Sequence, residues 1–316
     1  MQLKFLQNTN IDFLSKRYAF FIFSGILILA GALSLIIKGG PNYGIDFSGG
    51  LLVQVGFEKQ VNLDEMRKYM DEGGIGKVEL QSSRDSVDRH SVIIRTKQTD
   101  IEESEFEKKI SEVLEDKFKD NQFSIDRAEY VGPAVGRHLS KQAFYAFLFA
   151  FVGMIIYVGF RFHSSVWGIS AVIGIMHDVF IVFGIFSIFN KEISLTAIAA
   201  FLAIAGYSVN DTIVIFDRIR ENIRFLAKED LGAIINKSIN QTLSRTMITS
   251  FTLIIVAVVL FFFGGEVIHD FAFAILIGAF VGTYSSIYVC SSIVYEWQQQ
   301  KIKRTKRMLK TPNVVK

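Results

Sequence analysis

One aspartate stands where its solvent should exclude it. In the run Ala205-Gly206-Tyr207-Ser208-Val209-Asn210-Asp211-Thr212-Ile213-Val214-Ile215-Phe216-Asp217-Arg218, Asp211 follows a long apolar segment, and Ile213 to Phe216 separate it from Asp217. An ionisable side chain inside a bilayer costs about 2.5–3.5 kcal/mol on insertion scales, so it needs a reason. At ~1.5 Å per helical residue, Asp211 lies roughly 9 Å inside Asp217, which the charge pattern puts at the interface. The spacing i, i+4, i+7 sets Tyr207, Asp211 and Arg218 on one helix face. A carboxylate in that setting can take up and release a proton as its surroundings change. The competing reading is an aspartate that hydrogen-bonds a neighbouring helix for packing alone, although Asn210 beside it would do that at lower cost.

Arg245 is a candidate counter-charge. Thr242, Arg245, Thr249 and Thr252 recur at i, i+3, i+7 and i+10, a polar stripe that brings a guanidinium to a depth similar to that of Asp211. Arg245 can equally be a topology signal that snorkels to the interface. His177 and Asp178, near the middle of another apolar run, either extend a proton relay or form a static hydrogen-bonded pair between helices. No third ligand accompanies them, so no metal or other cofactor is implied. No serine or cysteine nucleophile stands beside them either, which argues against an intramembrane enzyme. Cys290 is the single cysteine, which excludes an intramolecular disulfide and reads as a small packing residue. Gly278 and Gly282 form a G-x-x-x-G that lets another helix approach closely. Neither G-x-x-x-x-G-K-[ST] nor a strand–helix G-x-G-x-x-G occurs, so nothing points to ATP as a direct energy source.

Long apolar helices must position these residues. The 316 residues are 50% hydrophobic and include thirty Phe but three Pro, with a mean hydropathy of +0.34, values that suit a bilayer better than water. The net charge of +3 is too small to argue for a nucleic-acid partner. Six stretches approach the ~20 residues that a span needs. They are Tyr18–Ile37, Ala143–Phe160, Val166–Phe189, Ile193–Phe216, Met247–Phe263 and Phe271–Tyr295. The first follows Lys16 and Arg17 like a signal peptide, but its apolar core is too long and no A-x-A-like site follows, so it reads as a retained helix.

Basic residues orient the spans. Lys4, Lys16 and Arg17 precede the first span, Arg161 follows the second, Arg218 to Arg245 carry six basic residues after the fourth, and Lys301 to Lys310 close the chain. The alternate loops hold only Lys191 with Glu192, and Glu266 with Asp270. Both termini are therefore expected on the cytoplasmic side. The resulting organisation is a tail at 1–17, a first span at 18–37, an extracytoplasmic domain at 38–140, a five-span bundle at 141–296 and a basic cytoplasmic tail at 297–316.

The polar region between spans one and two reads as alternating strands and helices. Leu51–Phe57 suits a strand, and Asn62–Glu72 a helix with a polar cap and Asp64 and Glu65 in its first turn. Lys77–Ser82 and His90–Thr96 are β-rich runs around a charged turn at Ser83–Arg89, Ile101–Phe118 is amphipathic, and Phe123–Val131 closes as a strand. The order βαββαβ is that of a ferredoxin-like α+β domain.

Several of these stretches together resemble one family. They are Gly44-Ile45-Asp46-Phe47-Ser48-Gly49-Gly50, Val131-Gly132-Pro133-Ala134-Val135-Gly136, His177-Asp178-Val179, the Gly206–Thr212 run continuing to Asp217-Arg218-Ile219-Arg220-Glu221-Asn222, Arg245-Thr246 with Thr249-Ser250, and Gly282–Tyr288. In this order they resemble the SecF branch of the SecD/SecF family of protein-export membrane proteins. The resemblance implies a half-transporter of the resistance–nodulation–division type, with six transmembrane helices. It would pair with SecD and work beside the SecYEG channel in the bacterial inner membrane. There it would use the proton motive force to help unfolded secretory polypeptides clear the channel late in translocation. The family's proton-path aspartate falls on Asp211 and its partner arginine on Arg245. His177, Asp178, Tyr207 and Asn210 stay open between relay and packing. A small-molecule exporter of the same superfamily would be expected to have twice the spans and large external domains, and a passive translocon scaffold would not need Asp211.

Overall fold

The computed structural model describes residues 9–75, 78–84, 90–96, 103–162, 165–226 and 229–310. Among these, six helical segments are long and apolar enough to cross a membrane. A 3-10 turn at Leu14–Lys16 leads into α1 (Arg17–Lys38), which ends on Gly39 in the left-handed conformation with its N–H on the Ile36 and Leu35 carbonyls. After a short helix α2 (Ile45–Ser48) come β1 (Gly50–Phe57), α3 (Leu63–Glu72), β2 (Glu79–Arg84), β3 (His90–Thr96), α4 (Glu103–Lys117) and β4 (Phe123–Val131). The bundle follows as α5 (Pro133–Phe162), α6 (Ser165–Ile188), α7 (Leu195–Phe225), α8 (Leu231–Phe263) and α9 (Gly265–Tyr284). A π-helical stretch, Ser285–Cys290, then joins α9 to α10 (Ser291–Lys310).

The sheet order is β2-β3-β1-β4 with every neighbour antiparallel. That is the expected βαββαβ domain, with β1 central and buried along nearly its whole length. One face packs Leu51, Val53, Val55, Phe57, Val92 and Ile94 against Met66 and Met70 of α3 and Phe106, Ile110 and Leu114 of α4. Alternation sends Leu52 and Ile93 to the opposite face, where they meet Ile45 of α2. Asn62 caps α3 by accepting the Asp64 N–H at 2.9 Å. The second strand runs Glu79–Arg84, two residues later than its β-rich sequence suggests, so Ser83 and Arg84 extend a strand instead of starting a turn. The rest of that charged segment, 85–89, lies outside the described residues, as do Lys4, Lys77, Ile101, Glu102 and Lys228.

Several of the helices are longer than their apolar runs. The fifth begins at Pro133, ten residues before Ala143, because His138, Ser140 and Lys141 lower hydropathy without breaking a helix. The seventh and eighth extend past the apolar region and pair as a polar hairpin, where Asn222 donates to Ser238 Oγ and Gln241 Oε1, both at 2.8 Å. Close packing uses small residues. A Cβ on Gly31 of α1 would collide with the backbone of Gly184 in α6. A Cβ on Gly278 would overlap the Ile204 side chain of α7, and one on Gly282 would crowd Ser208. This brings α7 to the centre of the bundle, flanked by α6, α8 and α9.

Candidate functional site

Two polar seams run along α7, and its helical pitch separates them. Tyr207 and Asp211, at i and i+4, look toward α8. Ser208 and Thr212, one residue on, look toward α6 and the π-helical stretch.

On the α8 side Asp211 is 2% exposed. Thr249 Oγ1 donates to its Oδ1 at 3.5 Å, the long limit of a hydrogen bond, and Oδ2 is buried without a partner. Arg245, one turn before Thr249, is exposed on the bundle surface and forms no direct ion pair with Asp211. Tyr207 has its own partners: its hydroxyl donates to Ser250 Oγ at 2.8 Å, and Ser250 shares a 2.7 Å hydrogen bond with Thr283. Arg218 is drawn into the polar hairpin by Gln241 and Glu221, so the shared face inferred from spacing divides into separate contacts. Asn210 lies exposed on the outside of the bundle. An ionised carboxylate with so few donors is costly to bury. Taking up a proton, or an approach by Arg245, would each remove that cost.

On the α6 side Asp178 is fully buried and fully engaged. Its Oδ1 pairs with His177 Nδ1 at 2.7 Å. Its Oδ2 accepts from Ser208 Oγ, at short range, and from Ser285 Oγ at 2.8 Å. Thr212 and Ser286 share a 2.8 Å hydrogen bond beside it. The other His177 nitrogen faces the Tyr284 hydroxyl at 3.4 Å, and Tyr284 reaches Ser24 of α1 at 3.2 Å. The π-helical stretch supplies Ser285 and Ser286, and Ser291 Oγ donates back to the Ser286 carbonyl at 2.9 Å. Ser208, Ser285 and Ser286 lie in the family-like stretches Gly206–Thr212 and Gly282–Tyr288, but neither charge nor spacing marks them as neighbours of Asp178. Among the described residues, no three His, Cys, Asp or Glu side chains gather as a metal would need.

The model of the SecD/SecF C-terminal domain of protein export membrane proteins matches residues 110–300, which hold both seams, and the SecD/SecF GG motif matches residues 34–61. The chain belongs to the SecD/SecF family. It is 49% identical to the protein translocase subunit SecF of Endomicrobium trichonymphae over 312 residues, covering 99% of each chain. It is 40% identical to SecF of Haemophilus influenzae, covering 90% of this chain and 85% of that one. The crystal structure of SecDF from Thermus thermophilus, a translocon-associated membrane protein, superposes with a TM-score of 0.82 at 34% identity. That match covers 93% of this chain and 39% of the SecDF chain, so the chain spans about two fifths of that polypeptide.

The GG-motif segment of this SecD/SecF chain builds the corner where the sheet meets the bundle. Gly49 and Gly50 both have positive φ, at 71° and 136°, which turns α2 sharply into β1. A Cβ on Gly136 of α5 would press on Gly49 N and Phe47 O, so the second helix of the corner also requires glycine. Asp46, in the same segment, accepts the Leu195 N–H at 2.8 Å and so caps the start of α7.

Proposed function

We propose that this chain is the SecF-type partner of a SecD subunit. In this reading the pair uses the proton motive force to assist late-stage export of unfolded polypeptides through the SecYEG channel of the bacterial inner membrane. Asp211 takes up and releases the proton, and Arg245 is the cation that competes with it. The carrying observation is the buried Oδ2 of Asp211, without a hydrogen-bond partner, beside a threonine at the edge of bonding distance. Two arrangements of α7 against α8 follow: one with a neutral Asp211, one with an ionised Asp211 drawn to Arg245. One charge moving through 100 mV makes about 2.3 kcal/mol available for the switch, in a place where ATP is absent.

The basic loops favour both termini in the cytoplasm and the α+β domain outside, where it can act on an emerging chain. The exposed apolar faces of α1, α5 and α8 are covered by lipid and by SecD, in line with the single SecDF polypeptide that this chain resembles in part.

The test is Asp211→Asn, measured as proton-dependent export in inverted vesicles at matched protein abundance. The reading expects proton-driven export to be lost while the variant still co-purifies with SecD. Normal export by that variant would reduce the chain to a translocon scaffold.

A further inference from the structure

The α+β domain meets the bundle through a small set of polar contacts that converge on the residues opening α7. Asp46 caps Leu195 from the domain side, as Ser194 caps Ala197 from within the chain at 3.2 Å. Ile193 is held between them: its N–H donates to the Asn42 carbonyl at 2.8 Å, and its own carbonyl accepts the Gly44 N–H at 3.0 Å. Glu192 pairs with Arg95 of β3, and the two side chains are only 14% and 13% exposed. From the bundle side, Asp270 of α9 binds Lys191 Nζ at 2.8 Å and accepts the Glu192 N–H at 3.4 Å.

An ion pair this little exposed is a poor source of stability, but it ties together the two segments that carry it, here β3 and the residues just before α7. Arg95 sits in the middle of the sheet, registered against Leu52 of β1 and Glu79 of β2. A force on its guanidinium is therefore carried by the whole sheet. Glu192 lies three residues before the first turn of α7, and a helix transmits displacement along its axis with little bending. Asp211 lies 16 positions after Leu195 in the same helix, roughly 24 Å away at ~1.5 Å per residue.

We propose that Arg95, Glu192 and Asp46 are positioning residues that clamp the α+β domain to the start of α7, so that the domain travels with the helix carrying Asp211. Its functional consequence rests on the reading of Asp211 as the proton site, whereas the clamp itself has a separate readout.

The experiment uses the full chain co-assembled with SecD in lipid nanodiscs, with spin labels at Lys108→Cys in α4 and Ala199→Cys in α7. Both positions are exposed, whereas native Cys290 is buried. The clamp predicts one narrow distance distribution in the parent and a clearly broadened one in Glu192→Ala and in Arg95→Ala. Arg95→Lys, which keeps the cation, should stay narrow. Asp211→Asn should stay narrow as well, whether or not it disables export. In proteoliposomes, Glu192→Ala should lower export about tenfold, within the usual range for a lost coupling, while proton uptake persists. A narrow distribution in Glu192→Ala overturns the proposal, as does a parallel loss of proton uptake and export. Should Arg95→Ala fail to accumulate, Glu192→Ala decides alone, since that substitution lies outside the sheet.

Discussion

Asp178 and Asp211 are both aspartates buried in apolar helices within one bundle, but their surroundings are opposite. Asp178 has a partner for each oxygen, drawn from α6, α7 and the π-helical stretch. Asp211 has one long hydrogen bond and a bare oxygen. A saturated carboxylate fixes the helices that saturate it, because any movement breaks several bonds at once. An undersupplied one gains by changing its protonation or its neighbours. The first is suited to structure and the second to switching, and Ser208 and Asp211 put both on one helix.

The largest expected effect separates them most sharply. Asp211→Asn should reduce proton-driven export by about a hundredfold, the lower end of what a lost proton-transfer group costs. Its thermal stability in detergent should stay within about 1 kcal/mol of the parent, since little bonding is lost. Asp178→Ala should do the reverse in stability. It strands His177 and two serines and should cost about 3 kcal/mol, read as a lowered midpoint of thermal unfolding. If Asp178→Asn instead abolishes proton uptake without destabilising the bundle, His177 and Asp178 belong to the relay and the contrast collapses. Arg245→Met comes next. Removing the competing cation should lower export about tenfold while leaving the fold intact, and unimpaired export would make Arg245 a topology signal only.

The contrast was half legible in sequence. Asp211 announces itself by its position in an apolar run, as do the six spans and the βαββαβ order, because hydropathy and alternation act locally. The partners that distinguish the two aspartates do not. Thr249 shows only as part of the polar stripe with Arg245, Ser208 and Ser285 are ordinary residues in apolar helices, and the meaning of all three depends on rotational settings set by contacts such as Gly282 on Ser208. The π-helical stretch has no periodicity to betray it. Arg95 and Glu192 lie far apart in the chain, one in a strand and one in a loop, and only the packing of the sheet over the bundle brings them together.

Glu192 extends the comparison to a third carboxylate, intermediate between the other two. It is buried with a cation, yet Asp46 of α2, Glu79 of β2 and Asp270 of α9 add negative charge around it, with Lys191 beside it and His269 against Lys191. Burial is the main cause, and these acids reinforce it against the opposing pull of Arg95, so its carboxyl is pushed up from an ordinary 4.5 to about 7. A cleft of about 660 Å³ lined by Asp46, Arg95, Glu192 and Asp270 gives protons access. The docked joint thus binds a proton more tightly than a separated one, and acid favours docking. That contribution is complete below about 4.5 and is lost as pH rises through about 7. Protonated Glu192 can still accept a hydrogen bond from Arg95, free of repulsion from the surrounding acids. The distance distribution between α4 and α7 should therefore be narrowest in acid and broaden modestly above pH 7, whereas Glu192→Gln should hold it narrow throughout. Broadening on acidification would mean that the charge pair with Arg95 dominates, and would move Glu192 to the side of Asp178, as a carboxylate whose partners outweigh its burial.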